Sequence, residues 1–213
     1  MSITIQTFIL GPIQNNTYLV IDDESKQAAL VDPSTPSKLV LDYLENNNLE
    51  LRLILITHAH FDHISGVHWF RNWNNHAIPV AMHALDLELW RDGGGSRDFG
   101  FELKAGADPD LLVVDGHIIP LGKTSFKVLH TPGHSHGHVT YIAERDRAAF
   151  CGDLIFYHGI GRTDLPVGNE ADLFSSIREK ILTLPEDTIL YPGHGDKTSV
   201  EEEKAHNPFL KIS

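Results

Sequence analysis

Short apolar runs separated by turn residues occupy the N-terminal part of the chain. Apolar residues recur between Ile3 and Leu10, from Thr17 to Ile21 and from Ala28 to Val31. Turn residues, Asp22-Asp23 and Asp32-Pro33 among them, separate these runs. Apolar stretches of about four to eight residues with such boundaries are typical of β-strands. We therefore predict an antiparallel meander of strands at the start of the chain.

A helical pattern comes next, and a further strand pattern follows it. Pro36 precedes the segment from Ser37 to Leu44, whose apolar residues share one helical face: Leu39, Val40, Tyr43 and Leu44. The segment from Leu51 to Ile56 is then rich in apolar, β-type residues, as expected of a buried strand. Together these patterns predict a strand–helix–strand crossover.

The remainder of the chain contains more short strand patterns and one clear helix. The helix is predicted from Ala171 to Leu184, because its apolar residues recur at helical spacing and Pro185 follows. Gly93-Gly94-Gly95 lies in a polar stretch that predicts a mobile surface loop, with a lid over a site as the alternative. The chain is thus an α/β protein with two strand-rich halves. The further strand candidates are Ile78–Met82, Leu111–Val114, Phe126–Leu129, Val139–Ile142, Ala148–Cys151 and Thr188–Tyr191.

Length, composition and charge narrow the class of protein. The chain has 213 residues, which fits a single domain over residues 1–213. Its hydrophobic share of 41% is sufficient for a core and excludes disorder as the main state. A formal net charge of −12 repels phosphate backbones, so nucleic acid is excluded as a partner. The single cysteine excludes an intrachain disulfide framework.

The apolar runs also bear on the cellular location. None approaches the roughly 20 residues of a membrane-spanning helix, and the start has no basic segment followed by a signal-peptide cleavage site. We expect a cytoplasmic protein without a membrane partner. An organelle protein that has lost its transit peptide would have the same features. The sequence leaves the oligomeric state open.

The chain is unusually rich in histidine, and one cluster of metal-capable residues stands out. There are 14 histidines, and His58, His60, Asp62 and His63 directly follow the predicted strand that ends at Ile56. Neutral imidazoles and ionised carboxylates are the ligands that Zn²⁺ and related cations prefer. His58 and His60, two residues apart, can face one ion, whereas Asp62 and His63 can face a second. The pattern predicts a dinuclear metal site.

Three later segments repeat this arrangement of an apolar strand, a glycine-containing turn and a possible ligand. They end in Pro132-Gly133-His134, Gly152-Asp153 and Pro192-Gly193-His194. Strand ends at one edge of a sheet lie close together, so these side chains are expected in the same cleft as the first cluster. Among the other histidines, His136 and His138 are candidates for orienting the ligands because they are near His134.

The motif His58-x-His60-x-Asp62-His63 resembles the HxHxDH signature of the metallo-β-lactamase superfamily, and the resemblance extends over nearly the whole chain. It implies an αββα sandwich in one domain, with the site at one edge of two sheets. It also implies that His58, His60 and His134 bind a first metal ion, that Asp62, His63 and His194 bind a second, and that Asp153 bridges them. The two ions are expected to be zinc, with iron or manganese as alternatives.

Further motifs resemble the short, single-domain hydroxyacylglutathione hydrolases of the glyoxalase II-like group. The residues after His194 are too few for the C-terminal helical domain of full-length glyoxalase II, and Val167 stands where short relatives commonly have glycine. Both departures concern the substrate and leave the metal set intact. The motifs are Thr131-Pro-Gly-His-Ser135, Cys151-Gly-Asp-Leu-Ile-Phe156, Gly161-Arg-Thr-Asp-Leu-Pro166, Tyr191-Pro-Gly-His-Gly195 and Asn207-Pro-Phe-Leu210.

The resemblance implies hydrolysis of a small thioester, such as S-lactoylglutathione, to glutathione and a 2-hydroxy acid. The nucleophile is expected to be a hydroxide that bridges the two ions and is oriented by Asp62 and Asp153. By the same resemblance, Arg162 lies near the glutathione moiety, where its planar guanidinium suits a carboxylate. A structural ion pair between Arg162 and Asp164 is the alternative role.

Other activities share the fold and stay open at this point. A persulfide dioxygenase would hold a single iron ion through His58, His134 and Asp153. Lactonase or β-lactamase activity would use the same hydroxide. A non-catalytic metal-binding module would have fully coordinated ions and no turnover.

Overall fold

The computed structural model describes residues 3–73 and 77–211, and it contains two β-sheets packed face to face between helical layers. This αββα sandwich is the predicted fold class. Within the described residues, no helix combines the length and the apolar character that a membrane crossing requires.

The first sheet contains six strands in the order β1-β2-β3-β4-β5-β6. Its first three strands pair antiparallel, as the predicted meander requires, and the remaining pairs are parallel. Helix α1 (Lys38–Asn46) connects the parallel strands β3 and β4, which confirms the predicted crossover. The strands are β1 Ile3–Leu10, β2 Asn15–Asp22, β3 Gln27–Val31, β4 Glu50–Leu55, β5 Val80–His83 and β6 Leu111–Val113.

The second sheet also contains six strands, in the order β14-β13-β10-β9-β8-β7. Its only parallel pair joins β10 and β13 among the described strands. A separate two-stranded hairpin is formed by β11 (Ile155–Phe156) and β12 (Gly159–Ile160). The sheet strands are β7 Ile118–Leu121, β8 Thr124–His130, β9 Val139–Ala143, β10 Ala148–Gly152, β13 Ile189–Pro192 and β14 Thr198–Ser199.

Alternation along each strand divides the core into an inner layer and two outer layers. In β2, Tyr18 and Val20 face the second sheet, whereas Leu19 and Ile21 face the helices. Successive side chains of a strand point to opposite faces, so a strand buried on both faces is apolar throughout. This explains why the central strands appear in the sequence as short runs of apolar residues.

Six α-helices cover the outer faces in the described part of the chain. Helices α1 to α4 pack on the first sheet, and α5 and α6 pack on the second. The predicted helix from Ala171 to Leu184 is observed as α5 followed by a π-helical turn, Ile177–Ile181. Helices α2 to α6 are Phe61–Ile64, Val67–Arg71, Leu87–Arg91, Glu170–Ser176 and Val200–His206.

Candidate metal centre

The segment after β4 carries the first ligand candidates into the interior. Val139 N–H donates a hydrogen bond to the carbonyl of Thr57 over 2.8 Å, which joins the end of β4 to the start of β9 in the second sheet. The chain then turns into α2. His58 and His63 are fully buried, and His60 is 8% exposed. The two sheets therefore meet where the histidine-rich motif begins.

His58, His60 and His134 form the first group of donor atoms, all within 4.8 Å of one another. His60 Nδ1 lies 2.8 Å from His134 Nε2. The carbonyl of Arg162 accepts a hydrogen bond from His134 Nδ1 over 2.8 Å. This hydrogen bond leaves the lone pair of His134 on Nε2, the atom that faces His60.

Asp62, His63 and His194 form the second group, again with donor atoms within 4.8 Å. Asp62 Oδ2 lies 3.0 Å from His194 Nε2 and 3.4 Å from His63 Nε2. A carboxylate and two imidazoles are a common ligand set for divalent metal ions. The chain thus brings together the two sets of three residues that the motifs predicted.

Asp153 lies between the two groups. Its Oδ1 is 3.4 Å from His63 Nε2, and its Oδ2 is 3.7 Å from both His134 Nε2 and His194 Nε2. One carboxylate therefore reaches a donor of each group. This is the position expected for a shared ligand of two ions.

Unpaired buried atoms test whether these residues suit metal ions. In the described part of the chain, His58 Nε2 and Asp153 Oδ1 are buried side-chain atoms without a hydrogen-bond partner. Such atoms are costly to bury unless a cation or another partner satisfies them. Thr57 Oγ1 lies 3.1 Å from His58 Nδ1, on the other side of the ring. The residues present therefore fit a pair of divalent ions.

Asp32 supports the second group and was missed by the sequence analysis. Its buried carboxylate accepts hydrogen bonds from Thr57 N (2.8 Å), Thr57 Oγ1 (2.6 Å) and His63 Nδ1 (2.9 Å). The hydrogen bond to Nδ1 directs His63 Nε2 toward Asp62 and Asp153. Asp32 has a φ of 48°, a left-handed conformation that aspartate adopts more readily than most residues. The only sequence signal was its place in the Asp-Pro turn after β3.

Asp86 performs a similar supporting role for the loop that carries His134. Its buried carboxylate accepts hydrogen bonds from Ala59 N (3.0 Å), Ser135 Oγ (2.7 Å) and Gly137 N (2.6 Å). These bonds connect the histidine motif to the residues on either side of the His134 turn. The sequence contained no signal for Asp86, because its role depends on contacts with distant segments.

His138 lies against the site, whereas His136 does not. His138 is buried, its ring centroid is 5.3 Å from that of His58, and its Nδ1 lies 2.9 Å from Thr131 Oγ1. His136 is exposed, and its carbonyl accepts a hydrogen bond from His130 Nε2. Of the two histidines predicted to orient ligands, only His138 is near them.

Burial and neighbouring charges favour the protonation states that metal binding needs in most of these groups. Burial lowers the pKa of His58 well below its usual value and that of His60 to about 3, so both are neutral at pH 7. Burial raises the pKa of Asp62 and Asp153, but His63 and His194 together outweigh it, so the pKa of each carboxyl group is lowered. Both carboxyl groups are therefore ionised. Burial lowers the pKa of His63 and His194, but the neighbouring carboxylates outweigh it, so the pKa of each imidazole is raised and a bound metal ion has to displace a proton there.

The predicted substrate residue Arg162 is placed at the edge of the site. Its carbonyl supports His134, as described above, but its guanidinium points to Asp164. Two hydrogen bonds of 2.7 Å join these side chains, and the side chain of Arg162 is 56% exposed. The alternative ion pair is therefore present. A role of the guanidinium in substrate binding stays a prediction.

A cleft of about 260 Å³ adjoins His60. Its wall is mostly apolar and contains Val167, one of the departures noted above. The glycine run forms another side and is packed closely: Gly93 and Gly94 are buried, and Phe61 N–H donates to the Gly94 carbonyl over 3.0 Å. The other lining residues are Glu88, Leu89, Asp92, Gly95, Asp98, Phe99, Leu165 and Pro166.

A family model and several related proteins match most of the chain. The family model described as the metallo-beta-lactamase superfamily matches residues 10–194. The chain is 39% identical over 205 residues to the probable metallo-hydrolase YqgX of Bacillus subtilis, covering 94% of each protein. It is 36% identical over 211 residues to the hydroxyacylglutathione hydrolase GloC of Haemophilus influenzae, covering 92% of this chain and 93% of GloC.

Solved structures with the same architecture include a lactamase and a di-iron protein. The BLEG-1 B3 metallo-beta-lactamase matches with a TM-score of 0.92 and 38% identity, over 98% of this chain and all of that one (100%). TTHA1623 in a di-iron-bound form has a TM-score of 0.86 and 36% identity, over 96% and 100% of the two chains. ETHE1 from Myxococcus xanthus has a TM-score of 0.80 and 28% identity, over 97% and 84%.

Proposed function

The chain belongs to the metallo-beta-lactamase superfamily, and we propose that it is a hydrolase that cleaves S-(2-hydroxyacyl)glutathione or a related small thioester with the help of two metal ions. The observation that carries this proposal is the position of Asp153 between two groups of three donors. An arrangement of two ions with a shared carboxylate is typical of hydrolytic centres.

The ligand assignment is part of the proposal. We assign His58, His60 and His134 to the first ion, Asp62, His63 and His194 to the second, and Asp153 to both. Imidazole and carboxylate ligands without thiolate suit zinc, and they also suit iron and manganese. The di-iron form of TTHA1623 makes iron the metal to test beside zinc. When bound, such ions lower the pKa of a coordinated water and polarise a carbonyl group.

The protein's own residues supply placement and proton handling. Asp62 and Asp153 are ionised, so their oxygens can accept hydrogen bonds from the attacking water and hold it in one orientation. Asp32 and Asp86 keep the histidine-bearing segments fixed through hydrogen bonds with buried groups. Preorganised groups of this kind do not have to rearrange during the reaction, which is the main contribution of a protein to such chemistry.

The cleft beside His60 is the proposed place of the acyl group. It opens directly onto a member of the first donor group, and its wall combines Leu89, Phe99 and Val167. An apolar wall accommodates the carbon chain of an acyl group, which favours thioesters over strongly charged substrates at this point. The glutathione moiety would then extend toward Arg162. The name of GloC supports glutathione as the thiol.

Metal analysis and activity measurements test this function together. The protein, purified without added metal, should contain two ions per chain and hydrolyse S-lactoylglutathione. A series of thioesters with increasing acyl length would show how much of the cleft is used. One iron ion per chain, together with oxygen uptake on glutathione persulfide and no thioester cleavage, would overturn the hydrolase assignment.

That outcome would support the second candidate, a persulfide dioxygenase with a single iron ion. The observation in its favour is the set of His58, His134 and Asp153, two imidazoles and one carboxylate, in which His134 Nε2 lies 3.7 Å from Asp153 Oδ2. Two imidazoles and one carboxylate are also the donors in the second group, and a single-iron enzyme would leave that group unused. We therefore favour the hydrolase.

A further inference from the structure

A separate cluster of metal-capable side chains lies between the β11–β12 hairpin and helix α6. His158 comes from the turn of the hairpin, and Glu202 and His206 come from α6. Their donor atoms all lie within 4.8 Å of one another. The cluster shares no residue with the two donor groups described above, and neither the motifs nor the proposed function accounts for it.

The carboxylate of Glu202 occupies the centre of this cluster. Its Oε1 is 2.8 Å from His158 Nε2 and 3.1 Å from His206 Nδ1. Ligand atoms in tetrahedral zinc sites are roughly 3.3 Å apart, given metal–ligand distances of about 2.0–2.1 Å. The distances from Glu202 Oε1 to the two imidazole nitrogens are within about 0.5 Å of this spacing. Glu202 and His206 are four residues apart, so they share one face of the helix.

The position of His158 is fixed by contacts with the protein interior. Its φ is 55°, a left-handed conformation that is uncommon for residues other than glycine. Its backbone N–H donates to both carboxylate oxygens of Glu203, over 3.2 and 3.1 Å. Glu203 is fully buried and also accepts hydrogen bonds of 2.6 Å from Thr198 Oγ1 and Asn207 Nδ2. These contacts fix the backbone of His158, and its imidazole lies against Glu202.

The chemistry and exposure of the cluster suit a metal ion with remaining water ligands. Two imidazoles and one carboxylate are a zinc ligand set that leaves further positions open. The side chains of His158 and Glu202 are 35% and 36% exposed, so solvent can reach the cluster.

We propose that His158, Glu202 and His206 bind an additional transition-metal ion, with zinc as the matching metal. Such an ion would tie the β11–β12 hairpin to the C-terminal helix. The same hairpin carries Phe156, whose ring centroid is 6.4 Å from that of His194. The ion would therefore stabilise a segment that borders the candidate metal centre.

Titration with Zn²⁺ tests this proposal on the full-length, metal-loaded protein. Calorimetry and metal analysis should show one more zinc ion per chain in the wild type than in Glu202→Gln or His206→Ala at the same free zinc concentration. Each substitution should weaken binding of this ion by at least about tenfold, because each removes a ligand. The readout is the difference between wild type and variants, so it does not depend on how many ions the other groups hold.

Matched controls separate a built site from general surface binding. Glu201→Gln changes an exposed neighbour on the same helix, and His117→Ala removes an exposed histidine elsewhere. Both should bind the additional ion as the wild type does. The proposal is overturned if wild type and Glu202→Gln take up the same number of ions with equal affinity. It is also overturned if the controls lose the ion together with the ligand variants.

Discussion

Replacement of Asp32 by asparagine is a stringent test of how the second donor group is held in place. Asparagine keeps the size of the side chain and tolerates the left-handed backbone at this position, where φ is 48°. It replaces one carboxylate oxygen by an NH₂ group. Because Oδ1 accepts from Thr57 N and Oδ2 accepts from His63 Nδ1, the amide cannot satisfy both donors.

The expected consequence follows from the tautomer of His63. If the new amide nitrogen faces His63, it donates to Nδ1, and the ring proton must move to Nε2. That atom lies 3.4 Å from both Asp62 Oδ2 and Asp153 Oδ1, where the second ion is proposed to bind. A protonated Nε2 cannot be a ligand. We expect affinity for the second ion to fall about 10- to 100-fold, which is about 1.4 to 2.8 kcal/mol.

If the amide instead presents its nitrogen to Thr57 N, two donors face each other in a buried position. That arrangement costs about 1–3 kcal/mol of folding free energy. Equilibrium dialysis against a chelator, followed by metal analysis, measures the affinity, and thermal unfolding measures the stability. Asp22→Asn is the matched control, because Asp22 is also a buried aspartate at a strand end but holds Ser25 and Lys123. Retention of the second ion in Asp32→Asn, within about threefold of wild-type affinity and without loss of stability, would refute the reasoning.

Three further predictions concern single residues. Asp153→Ala should lose metal content and lower turnover by more than about 100-fold, because it removes the proposed shared ligand. Metal analysis and activity assays check this, and a variant that keeps both its metal content and its activity would contradict the role. Arg162→Ala should raise KM with little change in kcat if the guanidinium anchors substrate. An unchanged KM would mean that the guanidinium serves only in the ion pair with its neighbouring aspartate. Burial raises the pKa of Asp22, but hydrogen bonds from Lys123, Ser25 and Glu24 lower it below its ordinary value. Asp22 should therefore contribute stability that is complete above its unfolded pKa and is lost as the pH falls through its folded pKa. The difference in unfolding temperature between wild type and Asp22→Asn should accordingly shrink between pH 6 and 3.

The fold followed from local patterns to a large extent. The strand runs, the crossover helix and the late helix all lie where periodicity and turn residues place them, because apolar spacing directly reflects which faces are buried. The glycine run was predicted to be a surface loop, but its close packing was not predicted. Gly94 is packed so closely that an added Cβ would lie 2.3 Å from the backbone nitrogen of Phe61. Contacts between segments that are distant in sequence leave no local pattern.

In the candidate site, too, some features are predicted by the sequence and others depend on the fold. The candidate donor residues could be predicted from the chain, because strands that end in metal-capable side chains are a local feature and the motifs resemble a known family. Their role as ligands stays a prediction. The hydrogen bonds that orient these side chains could not be predicted from the sequence. Asp32 and Asp86 act on residues 25 to 51 positions away, and the His158 cluster joins segments 44 or more positions apart. The amino-acid sequence determines which polar side chains are present, whereas the packing of the two sheets decides which of them contact one another. The reason is that polar groups from separate segments come within hydrogen-bond distance only when the fold buries them together.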